Sequence, residues 1–175
     1  VIQVFVLEQL GPEGLGKLRL VLSSFGFLSI YFQYYDIRIP RYYDRSTSPL
    51  GVLKKYLTIN AIVTTWALII FCIPVYVGYC YAVGVSPDLQ SMGVYAAYQF
   101  LVYLSVVFRA VLRLNNDLKF ASIGYCCMVL TLFGLYSCSA PTYTLFDASM
   151  MYFWSMLIMS LITFLGIRQV EKYSR

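Results

Sequence analysis

The sequence predicts an all-α integral membrane bundle of four transmembrane helices, preceded by an N-terminal interfacial helix, with both termini on the basic side. Three observations carry this expectation. First, uncharged blocks recur along the chain, at Tyr56 to Pro87, Leu89 to Phe108, Phe120 to Phe146 and Ala148 to Ile167. A helix rising about 1.5 Å per residue needs about 20 apolar residues to cross about 30 Å of hydrocarbon. Second, the 175 residues are 60% hydrophobic and 12% charged, whereas charges make up about a quarter of a soluble domain. The mean hydropathy is +0.71. Third, the charges collect in the connections between the blocks, which is how a membrane surface sorts them.

Residues 1–56 are read as an N-terminal arm with an interfacial amphipathic segment, and residues 57–175 as the bundle. Across residues 1–17 the arm carries Gly11, Pro12, Gly14 and Gly16, a composition that favours irregular backbone. It opens at Val1 without an initiator Met, which is compatible with a removed presequence or a longer product. Leu18 to Tyr35 is mostly apolar, but its uncharged core, Leu20 to Tyr35, has only 16 residues. Ser23, Gly26, Ser29 and Gln33 draw one small or polar stripe on a helix there. That pattern suits an interfacial helix better than an independent span. Tyr34 to Arg45 then mixes Tyr with Arg and Asp, the chemistry of headgroup depth.

Ser48-Pro49 supplies a cap and a first-turn proline for the first span, about 57–81. Pro74 falls inside it and should kink it, because proline removes a backbone donor. Asp88 caps the second span, about 89–112, and Asn115-Asn116 turns the chain. The third span is about 118–138, and Asp147 is expected to cap the fourth, about 147–168. Connections this short make successive helices antiparallel neighbours.

Charge sets the orientation. Of the 13 Lys and Arg, seven precede the first span, three lie between the second and third, and three follow the fourth. The other two connections carry only Asp88 and Asp147. Four spans therefore place every basic residue, and both termini, on the inner face. A fifth span at Leu18 to Tyr35 would carry Lys17 and Arg19 to the other side.

Several function classes lose their residues. The chain has no His, which removes imidazole-based haem, zinc and acid–base chemistry. Its five Cys sit in apolar blocks without metal-site spacing, and vicinal Cys126-Cys127 is expected to be free. Cys80 and Cys138, both at outer helix ends, could pair if their helices meet. No catalytic residues, cofactor-binding residues or metal ligands are assigned. The net charge of +5 flanks the apolar blocks, so no nucleic-acid partner is expected.

Two constellations remain. Arg38, Arg41, Arg45, Lys54 and Lys55, with Arg109, Arg113 and Lys119 at the inner turn, could hold an anionic lipid such as cardiolipin, or merely anchor helix ends. Ser91, Tyr95, Gln99 and Tyr103 recur every four residues on the second span. They form either packing glue, with Asn60, Thr64 and Thr65 as candidate partners, or a polar wall for a quinone or pore. Tyr76, Tyr79, Tyr81, Tyr136 and Tyr143 fall toward the outer boundary as an aromatic belt.

The expected function is a non-catalytic accessory subunit of an energy-converting complex. Its setting would be the mitochondrial inner membrane, in a respiratory-chain or ATP synthase assembly, with both termini in the matrix. Its partners would be other subunits and membrane lipids. The alternatives are a transporter or channel component and, behind it, a lipid- or quinone-directed membrane enzyme.

Overall fold

The computed structural model describes residues 11, 14, 16–20, 22, 23, 49–115, 117–138 and 144–174. Pro49–Ala67 (α1) passes through a π-helical segment, Leu68–Cys72, and continues as Ile73–Val83 (α2). Leu89–Leu114 (α3), Lys119–Ser137 (α4) and Leu145–Ser174 (α5) follow, and no strand occurs among the described residues. Four stretches, Leu53–Val83, Leu89–Leu114, Lys119–Ser137 and Leu145–Lys172, are long and apolar enough to cross a membrane. The chain is a multi-pass integral membrane protein.

The helix limits follow local chemistry. Pro49 opens α1, as its fixed backbone and missing N–H allow; Ser48 lies outside the described residues. Residues 49–56 are thus the opening turns of the first spanning helix, which the Ser48-Pro49 pair leads one to expect. Pro74 is accommodated by the π-helical segment, in which the Ile73 N–H reaches Leu68 O. Proline cannot donate to the carbonyl four residues back and its ring crowds it, so a locally wider turn relieves the conflict.

α2 ends at Gly84, whose φ of 74° is open to glycine. The Gly84 N–H donates to Tyr81 O at 3.2 Å and the Val85 N–H to Cys80 O at 2.9 Å, which closes the last carbonyls as a Schellman motif. Asp88 caps α3 by accepting from the Ser91 N–H at 3.0 Å and from the Ser91 hydroxyl. At the start of α5 the cap is Thr144 rather than Asp147. The Thr144 Oγ1 accepts from the Asp147 N–H, and the Asp147 carboxylate accepts from the Thr144 N–H and hydroxyl. This is a reciprocal capping box, with the acid three residues inside the helix.

The order in space differs from the order in sequence. α3 and α4 run antiparallel but barely touch; α5 packs extensively on both, and the first helix lies against α3 and, through α1, also touches α5. The row therefore reads α3, α5, α4, with the first helix beside α3. Half of the apolar stretch of α3 is buried, against 12% of that of the first helix. A short connection fixes direction, but the side chains decide which helix packs on which.

Close packing explains why α5 sits beside α4. A Cβ built at Gly124 would lie 3.2 Å from Met159 O and 3.3 Å from Thr163 Cγ2, and one at Gly166 only 2.5 Å from Phe120 Cβ and Cγ. Small residues let transmembrane backbones approach in this way, where lipid supplies little hydrophobic drive between helices. The α3–α5 side is built from larger groups. Phe108 meets Phe164 with ring centroids 5.8 Å apart, and Tyr98 meets Tyr152 at 5.7 Å.

The interfacial helix expected at Leu18 to Tyr35 lies mostly outside the described residues. Residues 16–20, 22 and 23 are helical, although the arm reads as irregular up to Lys17. Leu18 is buried against Leu145, with Leu22 beside them. Leu145 begins α5, whereas Glu171, near the other end of that helix, accepts a hydrogen bond from the Leu50 N–H at 3.2 Å. Lys17 and Arg19 thus flank a residue docked at the Leu145 end. The remaining described basic residues, on α1, α3, α4 and α5, lie toward the Glu171 end. Grouping all the basic residues at one end does not fit this packing, because charge counting is blind to where an arm docks.

Candidate functional site

The polar stripe on α3 is the most organised feature of the interior. Ser91, Tyr95, Gln99 and Tyr103 are all buried, with Ser91 and Tyr103 at 0% exposure. Four-residue spacing on a helix of 3.6 residues per turn keeps these side chains on one slowly drifting face. Cys72, Tyr76 and Cys80, again four apart, bring the first helix into the same apolar cluster as Met92, Tyr95 and Tyr103. The Tyr95 ring lies 5.1 Å from that of Tyr98, which leads on to Tyr152 of α5.

Hydrogen bonds tie this interior together at four points. The Tyr103 hydroxyl donates to Tyr56 O of α1 at 3.2 Å. The Ser160 hydroxyl of α5 donates to Leu101 O at 3.3 Å. The Asp88 N–H donates to the Tyr76 hydroxyl at 3.3 Å, which fixes the loop before α3 to the side of α2. The Leu50 N–H donates to a Glu171 carboxylate oxygen, so the last helix caps the first. In all four bonds a side chain meets a main-chain group on another segment, which is how a bundle settles polar atoms without water.

Other hydroxyls bond within their own helices. Ser149, Ser155 and Thr163 donate to Leu145, Met151 and Met159 carbonyls respectively. A buried hydroxyl bonded four residues back needs no partner elsewhere. Thr65, a suggested partner of the stripe, is exposed, and the side chains of Asn60 and Thr64 lie outside the described residues.

The basic residues are more dispersed. Lys54 and Lys55 are exposed on the early turns of α1. Arg109 is half-buried and its Nε donates to Ser105 O at 3.3 Å, whereas Arg113 and Lys119 are exposed around the turn from α3 to α4. These five share the Glu171 end of the bundle, and Arg38, Arg41 and Arg45 lie outside the described residues. Arg168 belongs to the same end, with its guanidinium carbon 6.0 Å from the Phe164 ring centroid.

Cys80 is buried beside α3 and Cys138 is exposed at the end of α4, at opposite sides of the row, and both are free thiols. Cys126 and Cys127 are free as well. Tyr79 and Tyr81 are exposed as a belt requires, but Tyr76 is a core residue; Tyr143 lies outside the described residues. Among the described residues no three His, Cys, Asp or Glu side chains gather where they could hold a metal ion.

Sequence reasoning missed Tyr56, Ser160, Glu171 and the two packing glycines. Ser160, Thr163 and Gly166, three apart on α5, were a visible signal for a close helix contact. Glu171 carried none, because an acid beyond a span reads as a solvated charge. Set against known proteins, the chain matches no family model, no curated protein and no solved structure.

Proposed function

We propose that the protein is a non-catalytic structural subunit of a larger energy-converting membrane complex, contributing helix packing and lipid contact. The proposed setting is the mitochondrial inner membrane, within a respiratory-chain or ATP synthase assembly, with the C-terminus on the matrix side. The observation that carries this reading is the use of the polar interior. Tyr103 and Ser160 spend their hydroxyls on carbonyls of neighbouring helices, the chemistry of glue rather than of a substrate path. The exposed apolar side of the first helix, with Trp66, Ile70 and Phe71, suits neighbouring subunits or ordered lipid.

Native electrophoresis in mild detergent, with mass spectrometry of co-migrating proteins, tests the proposal. Migration within a large stable assembly is expected. A lone monomer or homodimer overturns the subunit reading.

One observation favours a second reading, a component of a transporter or channel. The π-helical segment Leu68–Cys72 beside Pro74 interrupts the first helix within its membrane stretch, and such interruptions recur where substrates or ions pass. A transport defect in Pro74→Ala, in complexes that assemble fully, would move the function there.

Lipid binding is proposed at the basic end. Each basic side chain beside an anionic surface contributes about 1 kcal/mol, and an arginine fork can engage a phosphate through two bonds. Changing Arg109 and Arg113 together to Gln is expected to reduce co-purifying cardiolipin severalfold while the bundle stays folded, read by lipid mass spectrometry. Unchanged lipid content would leave these residues as helix anchors only.

A further inference from the structure

Leu53 in α1 and Cys80 in α2 are both buried, at 3% and 2% exposure, in the cluster that packs on α3. On a regular α-helix of 3.6 residues per turn they would stand about seven and a half turns apart and face opposite sides. The π-helical segment Leu68–Cys72 lies between them. A π turn takes in about one extra residue, which sets everything beyond it back by about 100°. Leu53 and Leu57 before the segment, and Cys72, Tyr76 and Cys80 from its end onward, then share the side that meets α3. The gradual wrap of one tilted helix over another takes up the remainder.

We infer that Pro74 and the π segment form a register device in the first helix, with Pro74 holding α2 in one of two rotational settings. Closing the π turn gives the other setting. It advances α2 by about one residue, so Phe71, Val75 and Tyr79 take the places of Cys72, Tyr76 and Cys80 on α3. Those three residues have the same four-residue spacing and are now exposed, at 55%, 45% and 50%. The exchange buries no charge, and lipid tails are as apolar as the interior, so it has no hydrophobic penalty to meet.

Pro74 opposes the closed turn directly. In a regular α-helix its ring would crowd the Ile70 carbonyl, four residues back, and leave that oxygen without its donor. The inner half of the helix is also the better anchored. The Leu50 N–H donates to Glu171 and the Tyr103 hydroxyl donates to Tyr56 O, whereas a single bond, from the Asp88 N–H to the Tyr76 hydroxyl at 3.3 Å, ties α2. The outer half is therefore the part that turns. The inference is independent of the subunit reading and needs only that the first helix packs on α3.

The test uses the full chain in its native membrane, with Cys72, Cys126, Cys127 and Cys138 replaced by Ala so that Cys80 is the only thiol. Membrane-permeant N-ethylmaleimide should label Cys80 about tenfold faster once Pro74→Ala is added, because a buried side chain has become accessible. A second protein carries Tyr79→Cys with Cys80→Ala, and its labelling should slow by a similar factor on adding Pro74→Ala. This reciprocal exchange is the signature of rotation. Faster labelling of both thiols reports loosening, and that or any other pattern overturns the device. Deleting Ile70 in the Pro74→Ala protein removes the extra residue and should restore protection of Cys80. If Pro74→Ala alone does not accumulate, this deletion variant decides: it should accumulate with Cys80 protected, and failure in either respect overturns the inference.

Discussion

Gly166→Val is expected to separate α4 from α5 and to destabilise the detergent-solubilised protein by about 1–3 kcal/mol, the usual cost of overpacking a tight interface. Even the first added carbon would sit 2.5 Å from Phe120 Cβ and Cγ and 2.9 Å from its Cδ2. The obstruction includes a Cβ, which moves only with its backbone, so rotation of the ring cannot clear it. The conservative Gly166→Ala should already be destabilising. Its cost should fall when Phe120 is also changed to Ala, a coupling that a double-mutant cycle of thermal unfolding measures. Equal stability of Gly166→Ala and the parent would show that the helices do not approach as closely as described.

Glu171→Ala carries the second large effect, through a hydrogen bond rather than packing. The carboxylate accepts the Leu50 N–H at the start of α1, and Glu171 is buried. Removing an acceptor from a part-buried donor costs about 1–3 kcal/mol. Glu171→Gln keeps an acceptor oxygen and should recover most of that loss. What it fails to recover reports the charge, since an anion beside a helix N-terminus contributes about 0.3–1 kcal/mol. Thermal unfolding of the three proteins in one detergent decides between these contributions. If Ala matches Glu, the last helix does not hold the first.

The sequence made the spans legible because hydrocarbon imposes a length and a composition that no neighbour can alter. It also made Asp88 legible as a cap, because a cap is a contact between residues three apart. Thr144 is harder to see at the same range: Asp147 reads as the cap, although threonine followed by an acid three residues later is the reciprocal pattern. The stripe from Ser91 to Tyr103 was visible as a face, and the structure buries it. Its partners were not visible, since Tyr56 O is a main-chain atom that any residue could have supplied.

Neighbour order was the least legible feature. Short turns suggested that α3 and α4 pack together, yet α5 lies between them because Gly124 and Gly166 admit close approach and Ser160 reaches Leu101 O. Those contacts join residues far apart in sequence, and periodicity within one helix does not encode them. The docking of Leu18 on Leu145 is of the same kind.

The row order has a consequence for biosynthesis. A ribosome delivers α3 and α4 to the membrane before α5 exists, and these two have little surface in common. α4 must wait in lipid as an independently stable helix, the first stage of two-stage insertion, while α3 already has the first helix beside it. Assembly then falls to the last helix, which packs on both and whose Glu171 reaches back to the start of α1. A nascent chain released before Leu145 would leave the first helix able to pack on α3 but α4 without its main partner. Only when the chain is nearly complete is α4 joined to the rest.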